Sequence, residues 1–409
     1  MSNLKKIEGG VTTPQGFTAG AVYTAIKKRE NKKPDVAVLY SDLPCSCAAC
    51  FTTNKFCAAP VILDREILKK GKARAVVINS GNANAATGKQ GIEDARTVER
   101  EAEKLLGLGE DEVFVCSTGV IGQVLPLEPI ITAVPTLVKE LDYNKNEEAA
   151  TAIMTTDTVK KEYAVEFQLD GKTCRLGGMA KGSGMIHPNM ATTLNFISTD
   201  CAISAKMLQQ ALREIVKVTY NCLSIDGDTS TNDMVEIMAS GLAGNAEITA
   251  PGPALDTFKA ALYDVMANLT RMLAKDGEGA SKLLECVCSG APTKDTAIIV
   301  AKEVIGSTLF KCAMFGEDAN WGRVLCAIGY APAEFDIDKV DVALKSTAGT
   351  VTVCQNGAGV DFSEEEAAKV LAEHDILVKV DMGTGEASAK AWGCDLTYDY
   401  VKINGDYRT

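Results

Sequence analysis

The sequence predicts a mixed α/β protein in which helices and strands alternate along most of the chain. Short apolar runs, bounded by glycines and polar residues, are typical of buried strands. Longer segments between them carry apolar residues at helical spacing. With 409 residues, the chain is long enough for one large α/β unit or for two or three domains.

Apolar runs rich in β-branched residues predict strands in both halves of the chain. In the first half they cover 36–40, 60–63, 73–78 and 113–116, followed by a hairpin of 164–169 and 173–176 around Asp170-Gly171. In the last quarter they cover 340–344, 350–354, 376–380 and 387–392.

Helical patterns fall between these strands. They cover 92–106, 129–141, 204–216, 255–275, 293–305 and 363–371. Gly107 would end the first of these helices, and Pro135 predicts a kink in the second. Ser363 and Glu366 form a capping box at the start of the last one.

Charge and composition exclude several classes of function. The net charge of −12 argues against nucleic acid and anionic membranes as partners. No apolar run approaches the length of a membrane span, and the first residues carry no apolar secretory signal. We therefore expect a cytoplasmic protein that acts on small molecules, with local cations at the site if a substrate is anionic.

The chain contains 14 cysteines, which in a cytosolic protein predict reduced and mostly buried thiols. One cluster, Cys45, Cys47, Cys50 and Cys57, has spacing that could hold zinc or an iron–sulfur cluster. The alternative is a cysteine-tolerant sequence in a reducing cell. We favour that alternative, because short cysteine motifs have low specificity, and we expect no metal and no other cofactor.

Other common site motifs are absent or incomplete in the sequence. Only His187 and His374 are histidines, which excludes a histidine-rich metal site and limits a Ser-His-Asp triad to one of two residues. The aspartates of the run 223–233 suggest calcium, but the spacing does not match an EF-hand loop. A turn held by hydrogen bonds from side chains to backbone is the better interpretation of that run.

A glycine-rich stretch, 178–196, contains the small residue Ala191 directly before Thr192. Glycines permit unusual backbone geometry, and Pro188 stiffens the segment. A threonine hydroxyl can attack the carbonyl that precedes it when the backbone is held bent there. Thr192 would then become a new N-terminus whose own amine serves as base. The structural alternative is a glycine-rich loop that leads into a buried strand.

Three further segments combine small, hydroxyl or acidic residues with glycine. Ser117-Thr118-Gly119 follows a predicted strand and could direct a hydroxyl and backbone N–H groups at an oxyanion. The polar tail 79–88 and the run 155–158 are typical either of a substrate site or of turns. Glu278, between two glycines, is either a ligand or a solvated loop residue.

Taken together, these motifs resemble the ornithine acetyltransferases, the glutamate N-acetyltransferases of arginine biosynthesis. The resemblance extends from Gly9 to Thr409, and its motifs follow the order of the family. It implies the ornithine acetyltransferase fold, a self-cleaving aminopeptidase-like α/β architecture of layered sheets and helices. It also implies autocatalytic cleavage into an alpha chain, 1–191, and a beta chain, 192–409, that assemble as a heterotetramer of two alpha and two beta chains.

The resemblance also implies an activity and the residues for it. Thr192 would take the acetyl group of N2-acetyl-L-ornithine and pass it to L-glutamate, with Thr118 and Gly119 as the oxyanion hole. The implied substrate-binding residues are Thr155, Lys181, Thr192, Glu278, Asn404 and Thr409. The family contains members that also take acetyl-CoA as a co-substrate, and no residue of this sequence decides that point.

Residue chemistry adds charge partners to this hypothesis. We expect Lys181 to pair with a substrate carboxylate and Glu278 with the side-chain amine of ornithine. The α-amine of Thr192 is our candidate general base, because its unperturbed pKa is about 7.7–8.0. For His187 we favour a structural role. The alternatives are a self-processing N-terminal-nucleophile amidohydrolase or aminopeptidase, and a metal-binding or redox-sensing protein built on the cysteine cluster.

Overall fold

The computed structural model describes residues 4–26, 32–187 and 193–406. These residues form two compact units, each assembled from segments that are separate along the chain. Unit 1 takes its described residues from 4–182, 193–216 and 229–269, and unit 2 from 183–187, 217–228 and 270–406. The predicted pieces 1–191 and 192–409 therefore each contribute to both units, and the division at 191 stays a prediction.

The strands are numbered in chain order. They are β1 (Lys5–Ile7), β2 (Phe17–Val22), β3 (Val36–Phe51), β4 (Lys72–Asn82), β5 (Val113–Val120), β6 (Lys161–Leu169), β7 (Lys172–Lys181), β8 (Leu194–Thr199), β9 (Leu223–Ser224), β10 (Met234–Ala239), β11 (Leu283–Ala291), β12 (Asp341–Ser346), β13 (Gly349–Gln355), β14 (Ala358–Gly359), β15 (Asp375–Asp381) and β16 (Ala387–Cys394).

The helices follow the same convention. They are α1 (Ala59–Ile67), α2 (Gly88–Leu106), α3 (Leu127–Lys139), α4 (Asn146–Ala152), α5 (Ala205–Val218), α6 (Pro253–Lys275), α7 (Lys294–Gly306), α8 (Thr308–Phe315), α9 (Trp321–Gly329), α10 (Glu364–Leu371) and α11 (Tyr398–Gly405). None of the described helices is both long and apolar enough to cross a membrane.

Unit 1 is organised around a sheet that has nine strands in the described residues. Its order is β1-β6-β7-β8-β10-β3-β4-β5, with β2 paired to β3. The pairs β8–β10 and β4–β5 are parallel, and the others are antiparallel. Strands β3, β4 and β5 each contain a run of at least four consecutive buried residues, as expected of strands that are covered on both faces.

Unit 2 is organised around a second sheet, with seven strands in the described part of the chain. Its order is β14-β13-β12-β15-β11-β16-β9, and the pairs β11–β15 and β16–β9 are parallel. Helix α7 packs on β11 and β16, and α10 packs on β12 and β13. The expected layering of sheets and helices is therefore confirmed in each unit.

Most predicted elements are confirmed, with longer strands than expected. Gly107 ends α2 in the left-handed conformation, with φ of +67°, and the Asp170-Gly171 turn joins β6 to β7 with positive φ at both residues. The Ser363 hydroxyl accepts a hydrogen bond from the Glu366 N–H at the start of α10. Helix α3 accommodates Pro135 in its interior.

One predicted strand is wrong. Residues 60–63 lie in α1, where Val61, Leu63 and Ile67 are buried. Proline is tolerated in the first turn of a helix, because its missing N–H would have no partner there, so Pro60 does not prevent the helix. The apolar run is too short for its periodicity to distinguish the two structures.

Candidate active site

The predicted site residues fall into three sets. Ala191, Thr192 and Thr409 lie outside the described residues. Thr118, Gly119, Thr155 and Lys181 lie in unit 1, and Glu278 and Asn404 lie in unit 2.

Thr118 and Gly119 lie at the carboxyl end of β5, beside the end of β4. Gly119 is paired with Gly81 and has φ of +135°, a conformation that favours glycine. A Cβ at residue 119 would lie 2.3 Å from the carbonyl carbon of Gly81 and 2.5 Å from the nitrogen of Asn82. Only glycine therefore permits this close approach of the two strand ends.

A network of buried amides holds these two strand ends. The Asn79 side chain donates to the Asn82 carbonyl at 2.9 Å and accepts from the Ser117 hydroxyl at 2.6 Å. The Asn232 amide donates to the carbonyls of Ala83 and Ser117 at 2.6 and 2.8 Å. The polar tail 79–88, which begins in the last residues of β4, is thus part of the framework behind Thr118, and Asn232 is a contributor that the sequence did not single out.

Lys181 is the last residue of β7, and the fold brings it to Thr118. Its ammonium group lies 3.4 Å from the Thr118 hydroxyl oxygen, and the residue is only 8% exposed. A buried cation acts strongly on nearby charge, because the local dielectric constant is low. Together with Gly119, this pair forms a surrounding suited to a developing oxyanion.

Asp157 is the anion of this region, and the sequence analysis did not single it out by itself. Its carboxylate accepts from the Lys161 ammonium at 2.7 Å and from the N–H groups of Gly182 and Thr155 at 2.7 and 3.0 Å. Burial alone would raise the pKa of Asp157, but Lys181 and Lys161 outweigh it and hold that pKa well below its usual range. The Lys161 and Lys181 ammonium groups therefore share the Asp157 carboxylate, which also holds the backbone N–H of Thr155.

In unit 2, Glu278 and Asn404 are in direct contact. The Asn404 amide donates to Glu278 Oε2 at 2.8 Å, and the Glu278 N–H donates to the Ser183 carbonyl at 2.7 Å. Glu278 is 7% exposed, and a Cβ at Gly184 would lie within 2.3 Å of its carboxylate. The glycine is needed so that this carboxylate can pack against the backbone.

The interpretation of the 223–233 run as a turn held by its aspartates is confirmed at Asp226. Oδ2 accepts from the Met185 N–H at 2.6 Å and from the Tyr400 hydroxyl at 3.2 Å. Oδ1 accepts from the Ile186 N–H at 2.8 Å and from the Asp228 N–H at 3.3 Å. Each carboxylate oxygen thus holds backbone within the glycine-rich stretch.

Comparison with known proteins decides the family. The model described as the ArgJ family matches residues 18–409. This chain belongs to the ArgJ family. It is 49% identical over 406 residues to the arginine biosynthesis bifunctional protein ArgJ of Caldanaerobacter subterraneus, covering 99% of this chain and 100% of that protein. It is 47% identical over 410 residues to the arginine biosynthesis bifunctional protein ArgJ 1 of Clostridium acetobutylicum, covering both chains fully.

Solved structures in the ArgJ family match parts of this chain. The ArgJ protein of Bacillus halodurans is 44% identical and covers 51% of this chain and 97% of its own, with a TM-score of 0.48. The ornithine acetyltransferase of Mycobacterium tuberculosis, solved with ornithine, is 37% identical and covers 46% of this chain and 100% of its own, with a TM-score of 0.43.

In this ArgJ chain His187 has surroundings that suit the structural role we expected. Its Nδ1 lies 2.9 Å from the Ser224 hydroxyl. Burial, aided by the charge of Lys302, lowers the pKa of His187 to about 4. The imidazole is therefore neutral at physiological pH and a weak base.

The cysteine cluster does not have the geometry of a metal site in the described part of the chain. Cys45, Cys47 and Cys50 are buried in β3, where Cys50 faces the opposite side of the sheet from the other two. Burial raises the pKa of the Cys45 thiol to about 12 and that of Cys50 to about 11, so both remain protonated. These residues pack as small apolar side chains.

A different group, Asp64, Cys116 and Glu236, is the one set of possible ligands that lies close together in the described residues. The Cys116 sulfur is 3.6 Å from Glu236 Oε2 and 4.0 Å from Asp64 Oδ2. Burial raises the pKa of Glu236 to about 8 and that of Asp64 well above its usual range. Protonation of the carboxyl groups thus accounts for their burial, and no sequence motif pointed to this group.

Proposed function

We propose that this chain transfers the acetyl group of N2-acetyl-L-ornithine to L-glutamate through an acetyl ester on Thr192. It is then a glutamate N-acetyltransferase of arginine biosynthesis. The observation that carries this proposal within the structure is the buried Lys181 ammonium, 3.4 Å from the hydroxyl of Thr118, the residue that precedes Gly119. Full-length relatives named as arginine biosynthesis proteins support it and do not favour an aminopeptidase-like hydrolase.

The first half-reaction forms the acetyl-enzyme. Thr192 Oγ attacks the acetyl carbonyl, its proton passes to the α-amine of Thr192, and the carbonyl oxygen becomes an oxyanion. The Thr118 hydroxyl and the Gly119 amide stabilise that charge, a type of contact worth about 2.7–4 kcal/mol. The C–N bond then breaks, and the proton moves to the departing α-amine of ornithine.

The second half-reaction reverses this order with another amine. The amine of glutamate attacks the acetyl ester, the ester C–O bond breaks, and N-acetylglutamate leaves with Thr192 restored. Because one threonine serves both halves, the kinetics should be ping-pong. We also propose acetyl-CoA as a second donor, which the word bifunctional in the names of the relatives supports.

Each charge of the proposed substrates has a residue of opposite charge among the predicted site residues. Glu278, held by Asn404, offers a buried carboxylate to the side-chain ammonium of ornithine. Lys181 offers a cation to an α-carboxylate beside the Thr118 hydroxyl. Thr155 and Thr409 complete the proposed substrate contacts. The reaction requires no metal and no prosthetic group, and the proposed setting is the cytoplasm.

Cleavage between Ala191 and Thr192 must precede transfer, because it frees the α-amine that acts as base. We propose that the resulting alpha and beta chains remain associated as two of each. Nucleic acid and membrane are not partners in this proposal, given the net charge of −12.

The test is Thr192→Ala, with Thr257→Ala on α6 as the matched control, because Thr257 is a partly exposed threonine outside the predicted site residues. Intact mass and a denaturing gel should reveal one uncut Thr192→Ala chain without transferase activity, and two pieces with full activity for the control. Acetylglutamate formed and acetate released from acetylornithine are measured together, so that a hydrolase is recognised by acetate. Acetyl-CoA as sole donor tests the second activity. Transfer by the Thr192→Ala chain would rule out the mechanism.

A further inference from the structure

Thr193 is held in an unusual backbone conformation directly after the proposed cleavage site. Its φ is +71°, in the left-handed region that β-branched residues rarely adopt. Glycine is the residue that tolerates this region without strain, and Thr193 is not glycine. Such outliers persist only when their surroundings impose them, and they concentrate at functional sites.

Hydrogen bonds to every polar group of Thr193 impose this conformation. Its N–H donates to Asp233 Oδ1 at 2.7 Å, and its carbonyl accepts from the Met234 N–H at 2.9 Å. Its hydroxyl oxygen accepts from the Asn195 side-chain amide at 2.6 Å. The residue that follows the scissile bond by one position is therefore fixed in both position and direction.

Asp233 is only half satisfied by this arrangement. The residue is 1% exposed, and no hydrogen bond of normal geometry reaches Oδ2 from the described residues, although Ser230 lies close enough to lower the pKa of this carboxyl. A buried carboxyl oxygen without a partner is costly, and a native structure that keeps one requires an explanation. Because Oδ1 is bound to the Thr193 N–H, a group that is covalently close to Thr193 is well placed to reach Oδ2.

Covalent geometry identifies one such group. The nitrogen of Thr193, bound to Oδ1, is three bonds from the nitrogen of Thr192, so the two nitrogens are at most about 3.6 Å apart. The two oxygens of one carboxyl group can each contact one of two nitrogens at this spacing. A carboxyl group anchored on the first nitrogen can therefore serve the second with its free oxygen.

We propose that Asp233 is the proton donor for self-cleavage, giving its proton to the peptide nitrogen of Thr192 as the bond to Ala191 breaks. This inference rests on the proposed function, because it concerns the step that prepares the same nucleophile. It assigns a role to Asp233 that the transferase reaction itself does not require.

The step is balanced as follows. Thr192 Oγ forms a bond to the carbonyl carbon of Ala191, the C–N bond to Thr192 breaks, and the Asp233 proton passes to that nitrogen. The proton of the threonine hydroxyl moves to the Asp233 carboxylate, which regains its acid form. Water then hydrolyses the ester, leaving a carboxylate on Ala191 and the free hydroxyl and amine of Thr192.

The electrostatics of Asp233 suit this role. Burial raises the pKa of Asp233 to about 7, although hydrogen bonds from Thr193 and Ser230 and the charge of Lys181 act against the rise. Lys181, at the end of β7, is the charged group that affects this carboxyl among the described residues. The acid form is thus available near neutral pH and is depleted above it.

The test compares Asp233→Asn with Asp226→Asn, a matched change in the same run. Each chain is synthesised without cells, and cut and uncut forms are followed over time by intact mass. Asn retains an oxygen for the Thr193 N–H but carries no acidic proton. We expect Asp233→Asn to slow self-cleavage about a hundredfold or more, as for loss of a general acid, and Asp226→Asn to leave two pieces forming normally.

Comparing the thermal unfolding of Asp233→Asn with that of uncut Thr192→Ala would show whether Asp233→Asn folds. If it does not fold, a second measurement on the wild type still tests the proposal. The wild-type cleavage rate, measured from pH 5 to pH 9, should fall above a pKa near 7. A flat profile, or normal cleavage by Asp233→Asn, would overturn the proposal while leaving the transferase function intact. A wild-type chain that never cleaves would overturn the proposed function instead.

Discussion

Asp226 and Asp233 belong to the same polar run, but their surroundings are opposite. In unit 2, Asp226 accepts hydrogen bonds at both oxygens, from three backbone N–H groups and a tyrosine hydroxyl. In unit 1, Asp233 anchors Thr193 with one oxygen and leaves the other without a partner in the described residues. A carboxylate with hydrogen bonds to both oxygens fixes the backbone, whereas one with a free oxygen can still exchange a proton with a neighbouring group.

Two other carboxyl groups of unit 1 extend this comparison. Asp157 resembles Asp226, because cations and N–H groups surround it and hold its pKa low. Glu236 resembles Asp233, because it is buried, has a raised pKa and has one oxygen without a hydrogen-bond partner in the described part of the chain. Glu236 lies against Asp64 and Cys116, so a raised pKa by itself does not mark a reactive group. What distinguishes Asp233 is its hydrogen bond to Thr193, the second residue after the proposed cut.

The largest effect on stability should come from Asp157→Asn. This change leaves the Lys161 and Lys181 ammonium groups buried without their shared anion, and we expect a loss of about 3–5 kcal/mol in the free energy of unfolding. Urea denaturation at pH 7 measures it. Because the folded pKa of Asp157 is depressed, its stabilisation is present above the unfolded pKa of about 3.9 and is lost as pH falls through the folded value.

The matched control for that change is Asp170→Asn, at an exposed turn residue with φ of +52° that asparagine also tolerates. It should leave the urea midpoint unchanged. If Asp157→Asn were as stable as this control, the two lysines would not depend on Asp157, and the grouping of Asp157 with Asp226 would fail.

An intermediate effect is expected for Asp226→Asn. The asparagine amide keeps one acceptor oxygen but loses the negative charge, and its NH₂ group would face hydrogen-bond donors. We therefore expect the free energy of unfolding to fall by about 1.5–3 kcal/mol. The melting temperature should fall by several degrees. The control is Asp228→Asn, which changes an exposed neighbour and should leave the melting temperature unchanged. Equal losses of self-cleavage in Asp226→Asn and Asp233→Asn would abolish the distinction between the two aspartates.

The smallest effect is expected for Glu236→Gln. The folded pKa of Glu236 is about 8, above its unfolded value, so the native state keeps a proton that the unfolded state releases. Stability should therefore fall as pH rises from about 4.5 towards 8. Glutamine removes this titration, so we expect the variant to be more stable than the wild type at pH 8 but little changed at pH 5.

Urea denaturation at the two pH values measures this difference. The same pH dependence in both proteins would indicate that Asp64 alone carries the proton. Unchanged cleavage and transfer rates in Glu236→Gln are also expected, since Glu236 is outside the proposed chemistry.

Local patterns in the sequence predicted much of the fold. Helix α5 was predicted from its apolar spacing, and its residues Met207, Leu208, Ala211, Leu212, Ile215 and Val216 are all buried. Gly107 and Ser363 marked helix ends correctly, because capping depends on residues that are adjacent in sequence. Pro60 misled the prediction, because a short apolar run with a proline is compatible with both a strand edge and a first helical turn.

The site was less predictable, because its contacts join residues that are distant in sequence. Thr118 was singled out as following a strand, but nothing local placed Lys181 beside it, 63 positions away. Asn232 and Asp157 act through buried hydrogen bonds whose partners only the fold defines. Glu278 and Asn404, 126 positions apart, were named through family resemblance and are in contact.

Strand β8 lies between β7 and β10 in the large sheet, and β10 lies beside β3. The two pieces left by a cut at residue 191 are consequently interleaved: β7 and β3 belong to one, β8 and β10 to the other. Separating them would break the hydrogen bonds between paired strands in the middle of a sheet. The two pieces should therefore elute together from a native size-exclusion column and separate only under denaturing conditions. Either piece made alone would expose unpaired strand edges and is expected to aggregate.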